Sequence, residues 1–189
     1  MNVTLIDASP RQGGTVSRLA DAFAEGATLS GHSARVVRLA ELSIRPCASC
    51  GRCIETGRCA VRDDIAQVEE ALEQADFIVF ASPTHYANLS ALLLNTFERL
   101  VGFLVDKRPF PPVSRTLRGK KAAAIVTCAA PWPFNWMLGH SSGCVSQIRK
   151  VCLQSGVKLE TVLVAPGTGR PGFKMDQFLA RARRAGATV

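Results

Sequence analysis

Val3-Thr4-Leu5-Ile6-Asp7-Ala8, then Ser9-Pro10-Arg11-Gln12-Gly13-Gly14-Thr15, then a run of helical periodicity from Val16 to about Thr28, is the stretch that decides the fold. An apolar run of strand-forming residues, a turn of Ser, Pro and two glycines, and an amphipathic helix together describe the first βα unit of an open α/β sheet. Such a unit makes an anion seat. Glycines let backbone N–H groups turn inward, the helix N-terminus adds partial positive charge, and Ser9, Arg11 and Thr15 add hydroxyl and guanidinium donors.

The turn matches neither nucleotide fingerprint. A dinucleotide site needs G-x-G-x-x-G and a nucleoside-triphosphate loop needs G-K-S or G-K-T, whereas the turn reads S-P-R-Q-G-G-T. A short, hydroxyl-rich cradle suits a single terminal phosphate, as in flavin mononucleotide (FMN). The bland alternative is an ordinary βα turn in which Ser or Thr caps the helix.

The remaining pattern repeats that unit. Strands are expected at 34–39, 75–81, 121–128 and 157–164. Helices are expected from Asp63-Asp64 onward with Ile65, Val68, Ala71 and Leu72 inward, over 90–104, over 143–154, and after 172 to about 184. Asp63 and Asp64 read as cap and charge for the first of these. Five alternations predict a doubly wound, five-stranded parallel sheet of flavodoxin-like order 2-1-3-4-5, forming one domain over 1–189. That order places a ligand beyond the carboxyl ends of strands one and three, where the segments 9–15, 82–88 and 127–136 converge.

At 189 residues with 47% hydrophobic content the chain suits one full core. Its longest apolar runs, 77–81 and 122–126, are too short to cross a bilayer, and no signal-like segment opens it, so a cytoplasmic protein without membrane contact is expected. The formal charge is +8. Basic residues gather at Lys107, Arg108, Arg115, Arg118, Lys120 and Lys121, and in the tail 170–189 at Arg170, Lys174, Arg181, Arg183 and Arg184. Solvated faces explain each cluster; the functional alternative is attraction of a nucleotide phosphate or an acidic redox partner. Aromatic content of 6%, none of it interleaved with those cations, argues against nucleic acid.

Within the loop 44–62, Cys47, Cys50, Cys53 and Cys59 are spaced C-x2-C-x2-C-x5-C. Three cysteines at successive i, i+3 positions favour a [4Fe-4S] cluster; a metal-free loop or Cys-x-x-Cys redox pair, and tetrahedral zinc, are the alternatives. Cys128, Cys144 and Cys152 read as core residues. Trp132 and Trp136 read as a lid or dimer contact.

Ser9-Pro10-Arg11 with Gly13-Gly14, the cysteine loop followed by Asp63-Asp64, Ala81-Ser82-Pro83 with His85-Tyr86, and the strand ending at Thr127 resemble the NAD(P)H-dependent FMN reductase superfamily, and within it the iron-sulfur flavoproteins. The resemblance spans roughly 2–165. It implies that Ser9, Arg11, Gly14, Thr15 and Ser17 hold the FMN phosphate and that Pro83, Thr84, His85, Tyr86 and Asn88 line the ring. Thr127, Cys128 and Ala129 would close its other edge. His85 and Tyr86 are the catalytic candidates, His85 for proton transfer and Tyr86 for packing on the ring. It implies NAD(P)H or a ferredoxin-like protein as donor, a small-molecule acceptor, and a homodimer or homotetramer. The chain departs from the family where Asn-Thr commonly follows the double glycine, since it has Thr15-Val16, and where the loop after strand four is commonly glycine-rich.

Overall fold

In this computed structural model, residues 1–106, 114 and 116–189 are described. Lys107, Arg108 and Arg115 of the first basic cluster therefore lie outside them. The strands are β1 (Asn2–Asp7), β2 (Ser33–Arg38), β3 (Phe77–Pro83), β4 (Lys121–Cys128) and β5 (Lys158–Pro166). The helices are α1 (Thr15–Leu29), α2 (Cys53–Thr56), α3 (Ile65–Gln74), α4 (Ala91–Arg99), α5 (Val101–Leu104), α6 (Phe134–Met137), α7 (His140–Gln154) and α8 (Met175–Gly186). All strands pair in parallel, in the order β2-β1-β3-β4-β5. That is the expected flavodoxin-like, doubly wound architecture.

Period-two side-chain alternation splits the core in two. Ile6, Ile78, Phe80, Ala122 and Ala124 face α3, α4 and α7, while Val3, Leu5, Phe77, Val79 and Ile125 face α1 and α8. Strands buried on both faces need continuous apolar sequence, which β3 and β4 supply. Helices α1 and α8 meet through glycines: a Cβ on Gly26 would run into the Arg183 carbonyl, and one on Gly186 into the Phe23 carbonyl. Gly26→Val is therefore expected to cost about 1–3 kcal/mol by overpacking, read as a lower urea midpoint at unchanged m-value.

Three local expectations are corrected. The helix expected over 90–104 breaks at Leu100 (φ −93°, ψ 6°) into α4 and α5. The bend lays Gly102 on α2, where a Cβ would collide with the Cys53 carbonyl. The loop 129–139 contains α6, and α7 begins at His140 rather than Gly143. Asp64 makes no side-chain cap on α3 and its Oδ2 instead accepts the Ser43 N–H (2.7 Å) of the preceding loop, whereas Asp63 Oδ1 accepts the N–H of Ile65 (3.1 Å), the first residue of α3.

Part of the basic run proves structural. Lys120 Nζ donates to the Leu72 and Glu73 carbonyls (3.0 and 2.7 Å), closing the C-terminal end of α3, and Lys121 pairs with Glu160 at 3.2 Å. No helix among the described residues is long and apolar enough to cross a membrane.

Candidate functional site: a cleft at the carboxyl ends of β1, β3 and β4

The turn after β1 is held by hydrogen bonds gathered on Asp7 and on the Arg11 carbonyl. Buried Asp7 accepts the Ser9 N–H (2.9 Å) and pairs with Arg38 (2.9 Å), which also holds Asp21 (2.6 Å). The hydrogen bond to Asp21, set against desolvation, raises the Arg38 pKa with help from Asp7. Ser9 Oγ donates to the Arg11 carbonyl (2.9 Å), which also takes the Gly14 N–H (3.2 Å) and Ser17 Oγ (3.4 Å). Gly14 enters α1 with no side-chain cap, and no acid stands in the first turn, so the leading N–H groups of the helix stay open toward the cleft. A Cβ on Gly14 would lie 3.1 Å from both Ser9 Oγ and the Arg11 carbonyl.

The second loop is tied to the first. Ala8 donates its N–H to the Ala81 carbonyl (2.8 Å), and Ser90 Oγ donates to the Ala8 carbonyl (2.9 Å) while the Ser90 N–H reaches Ser82 Oγ (3.0 Å). His85 and Asn88 exchange two backbone bonds (3.0 and 2.9 Å) around Tyr86 (φ 47°) and Ala87 (φ 61°). Both central residues are left-handed, a geometry that usually takes Asn-Gly and that costs of order 1 kcal/mol or more at each non-glycine. Gly143 at the start of α7 admits it, since a Cβ there would collide with the Ala87 carbonyl.

The third loop closes the cleft. Thr84 donates its N–H to the Thr127 carbonyl (2.9 Å), Thr168 to that of Cys128 (3.1 Å), and Gly167 to that of Ala130 (2.9 Å). The result is a cleft of about 330 Å³. From the first loop Ser9, Arg11, Gly14 and Thr15 line it, from the second Pro83, Thr84 and His85, and from the third Thr127 and Ala129. Those nine are sequence-predicted residues brought together. Ser17, Tyr86, Asn88 and Cys128 are outside the lining: Ser17 is buried behind the turn, Tyr86 is fully exposed, Asn88 Oδ1 accepts the Leu89 N–H (2.8 Å), and Cys128 is buried in β4. Thr168, Pro10 and Val16 also line it. Thr168 had no sequence signal beyond the Gly/Pro stretch around it. Beneath the cleft, burial pushes the Cys144 thiol up to about 11 despite the nearby Thr84 and Ser82 hydroxyls, so it stays protonated at neutral pH.

The cysteine loop has one rigid end. Arg99, fully buried on α4, donates Nε to Cys59 Sγ (3.2 Å), Nη1 to the Arg45 carbonyl (2.6 Å), Nη2 to the Val61 carbonyl (2.9 Å), and both Nη atoms to Asp63 (2.7 and 3.0 Å). Glu69 accepts the Cys59 N–H (3.2 Å) and pairs with Arg58 (3.2 Å). Cys47 and Cys50 are exposed and Cys53 starts α2. Among the described residues no three His, Cys, Asp or Glu side chains come together as a metal site, so the four thiols as placed do not close around a cluster. Their spacing remains the argument for one.

The order of the sheet and the cleft at its switch point define a flavodoxin-like protein. A solved NAD(P)H:quinone oxidoreductase from Methanothermobacter marburgensis superposes with a TM-score of 0.79 at 23% identity, covering 100% of this chain and 95% of that one. A Bacillus anthracis FMN-dependent NADH-azoreductase in complex with FMN superposes at 0.76 with 11% identity, covering 99% and 98%. In sequence, residues 1–150 match the family NADPH-dependent FMN reductase. An iron-sulfur flavoprotein of Archaeoglobus fulgidus is 31% identical over 182 residues, 96% of this chain and 75% of that protein. One from Methanosarcina thermophila is 30% identical over 125 residues, 66% of this chain and 62% of its own length. The chain belongs to the NADPH-dependent FMN reductase family and is an FMN-dependent oxidoreductase.

Proposed function

We propose that the cleft seats FMN with its phosphate on the turn 9–15 and its ring against Pro83, Thr84 and His85, with Thr127 and Ala129 at the far edge. The observation that carries this is the wedge at Gly14: an uncapped 15-residue helix opens onto a cradle that a single Cβ would fill. The donor set fits a phosphate: the open N–H groups at the start of α1, the Thr15 hydroxyl and the Arg11 guanidinium all belong to residues lining the cleft, while the Ser9 hydroxyl, bonded to the Arg11 carbonyl, holds the turn in shape. When bound, FMN supplies the two-electron and one-electron redox chemistry, and the protein supplies position and electrostatics.

The chain's own contribution is then to orient and to exclude water. The strained turn at Tyr86-Ala87 fixes His85, and the Thr84 N–H bond to Thr127 holds both walls at one separation. His85 is the imidazole of the lining, able to donate or accept a proton through either ring nitrogen, so proton delivery to the reacting ring falls to it. Tyr86, turned to solvent, serves as a contact for an arriving acceptor or partner rather than as an acid. We assign NAD(P)H as donor and a quinone-like or other small acceptor. The exposed Trp132, Phe134, Trp136 and Met137 support assembly into a homodimer or homotetramer.

Arg11→Ala is expected to weaken FMN retention by about 1.5–3 kcal/mol through loss of a charge-assisted phosphate bond. Flavin fluorescence titration of the apoprotein measures it; unchanged affinity would show that the turn holds something else.

A second reading adds a [4Fe-4S] cluster on Cys47, Cys50, Cys53 and Cys59, with a ferredoxin-like protein as donor. It is supported by the C-x2-C-x2-C-x5-C spacing and by the names of the relatives. Iron and labile-sulfide analysis of anaerobically purified protein decides it: brown protein with about four of each per chain supports the cluster. Colourless or zinc-bearing loops support the alternatives.

A further inference from the structure

The basic tail divides by what its side chains do. Arg183 pairs with Glu25 (2.7 Å), and the Arg181 guanidinium stacks 5.3 Å from the Phe178 ring. Arg170 and Lys174 are exposed and make no ion pair among the described residues, with Asp176 or any other acid. Both line a depression of about 450 Å³ whose floor is Pro166, Gly167 and Phe173.

That depression and the flavin cleft draw on one loop, Gly167 and Arg170 lining the first and Thr168 between them lining the second. The loop is a fixed platform. Its Thr168 N–H is bonded to the last residue of β4 and its Gly167 N–H to Ala130 just beyond, and the Arg170 N–H returns to the Gly167 carbonyl (3.1 Å). Gly169 lies against Ala129, where a Cβ would make ordinary contact at 3.7 Å. Arg170, two residues along the loop from Thr168, and Lys174 thus stand next in the chain to the cleft wall, available to the far end of a ligand whose reactive end enters the cleft.

Resting on the reading of NAD(P)H as donor, we propose that Arg170 and Lys174 form the subsite for the 2′-phosphate of NADPH and so select it over NADH. The chemistry matches: a guanidinium offers a phosphate two parallel N–H bonds, and an ammonium beside it adds a point charge. A nucleotide lacking that phosphate gains nothing from either group, so the pair acts on the difference between donors.

The test uses the FMN-loaded protein and two probes that carry no hydride, 2′,5′-ADP and 5′-AMP, titrated calorimetrically. Wild-type protein should bind 2′,5′-ADP at least tenfold tighter, with a salt-sensitive gap that closes in Arg170→Gln/Lys174→Gln. Stopped-flow flavin bleaching should show the NADPH-to-NADH ratio of kcat/KM falling about 10- to 100-fold in the same variant. Equal affinity of the two probes in wild type, or a gap that survives the double substitution, overturns the subsite. Selective 2′,5′-ADP binding in a protein bleached by dithionite but by neither nucleotide would uphold the subsite and overturn the donor reading. Loss of both would overturn both.

Discussion

Arg99→Ala should destabilise the protein by about 3–5 kcal/mol and release the cysteine loop, an effect larger than any surface change would produce. The guanidinium is wholly buried, and its five N–H donors reach Cys59 Sγ, the Arg45 and Val61 carbonyls and both Asp63 oxygens. Truncation takes the Arg99 partner from the Arg45 and Val61 carbonyls and leaves the Asp63 carboxylate with the Arg45 and Ile65 N–H groups and no buried cation, and that uncompensated charge is what costs most. Lysine does not rescue it, because one ammonium cannot span the two ends of a loop that Arg99 joins at residues 45 and 61. Asp63 supplies the internal control. Burial would raise its pKa, but the Arg99 hydrogen bond, with the Arg45 and Ile65 N–H groups, holds it down to about 2 from 3.8. A depressed carboxylate contributes stability above the unfolded value that is lost as pH falls through the folded one, so wild type should lose about 2 kcal/mol between pH 4 and pH 2. Arg99→Ala should lack that step. Urea titrations over this pH range check both statements, and an unaltered midpoint in the variant would show the bridge to be energetically idle.

Arg99 also marks where sequence reading stops. Strand identity, sheet order and the convergence of three loops were legible because each rests on local pattern: apolar runs for strands buried on both faces, and Ser-Pro-Arg-Gln-Gly-Gly for a turn before a helix. Nine cleft residues followed from that convergence. Arg99 sits in an amphipathic helix where an arginine normally faces water, and nothing nearby in sequence announces partners 36 to 54 residues away. The break at Leu100 was equally silent, since the helix bends to seat Gly102 on the Cys53 carbonyl, a tertiary contact with no proline or cap to signal it. Tyr86 stands outside the cleft lining for a backbone reason. Paired left-handed residues make the tip of a two-residue hairpin, and the tip points to solvent. Thr168 was missed because β5 and α8 join at the same rim only when the fifth strand runs to Pro166, two residues beyond the apolar pattern.

Gly14→Val should abolish FMN retention while leaving the fold intact, which separates cofactor binding from stability more sharply than the loss of Arg11 does. Gly14 has ordinary extended geometry (φ −63°, ψ 167°), so valine meets no backbone strain there. What it meets is Ser9 Oγ and the Arg11 carbonyl, each 3.1 Å from its Cβ, tighter than van der Waals contact, with two further methyl groups beyond. Relieving the clash opens the turn and turns the leading N–H groups of α1 away from one another. A phosphate bound through two or three charge-assisted bonds of about 1.5–3 kcal/mol each would lose most of them together, roughly 3–6 kcal/mol, or two to four orders of magnitude in affinity. Arg11→Ala removes one bond and leaves the cradle, so its deficit should be the smaller. Gel filtration of reconstituted protein with absorbance at the flavin band and circular dichroism on the same fractions reads both quantities. Yellow Gly14→Val protein would mean that the phosphate lies elsewhere in the cleft, and the assignment of the opening turn would fall with it.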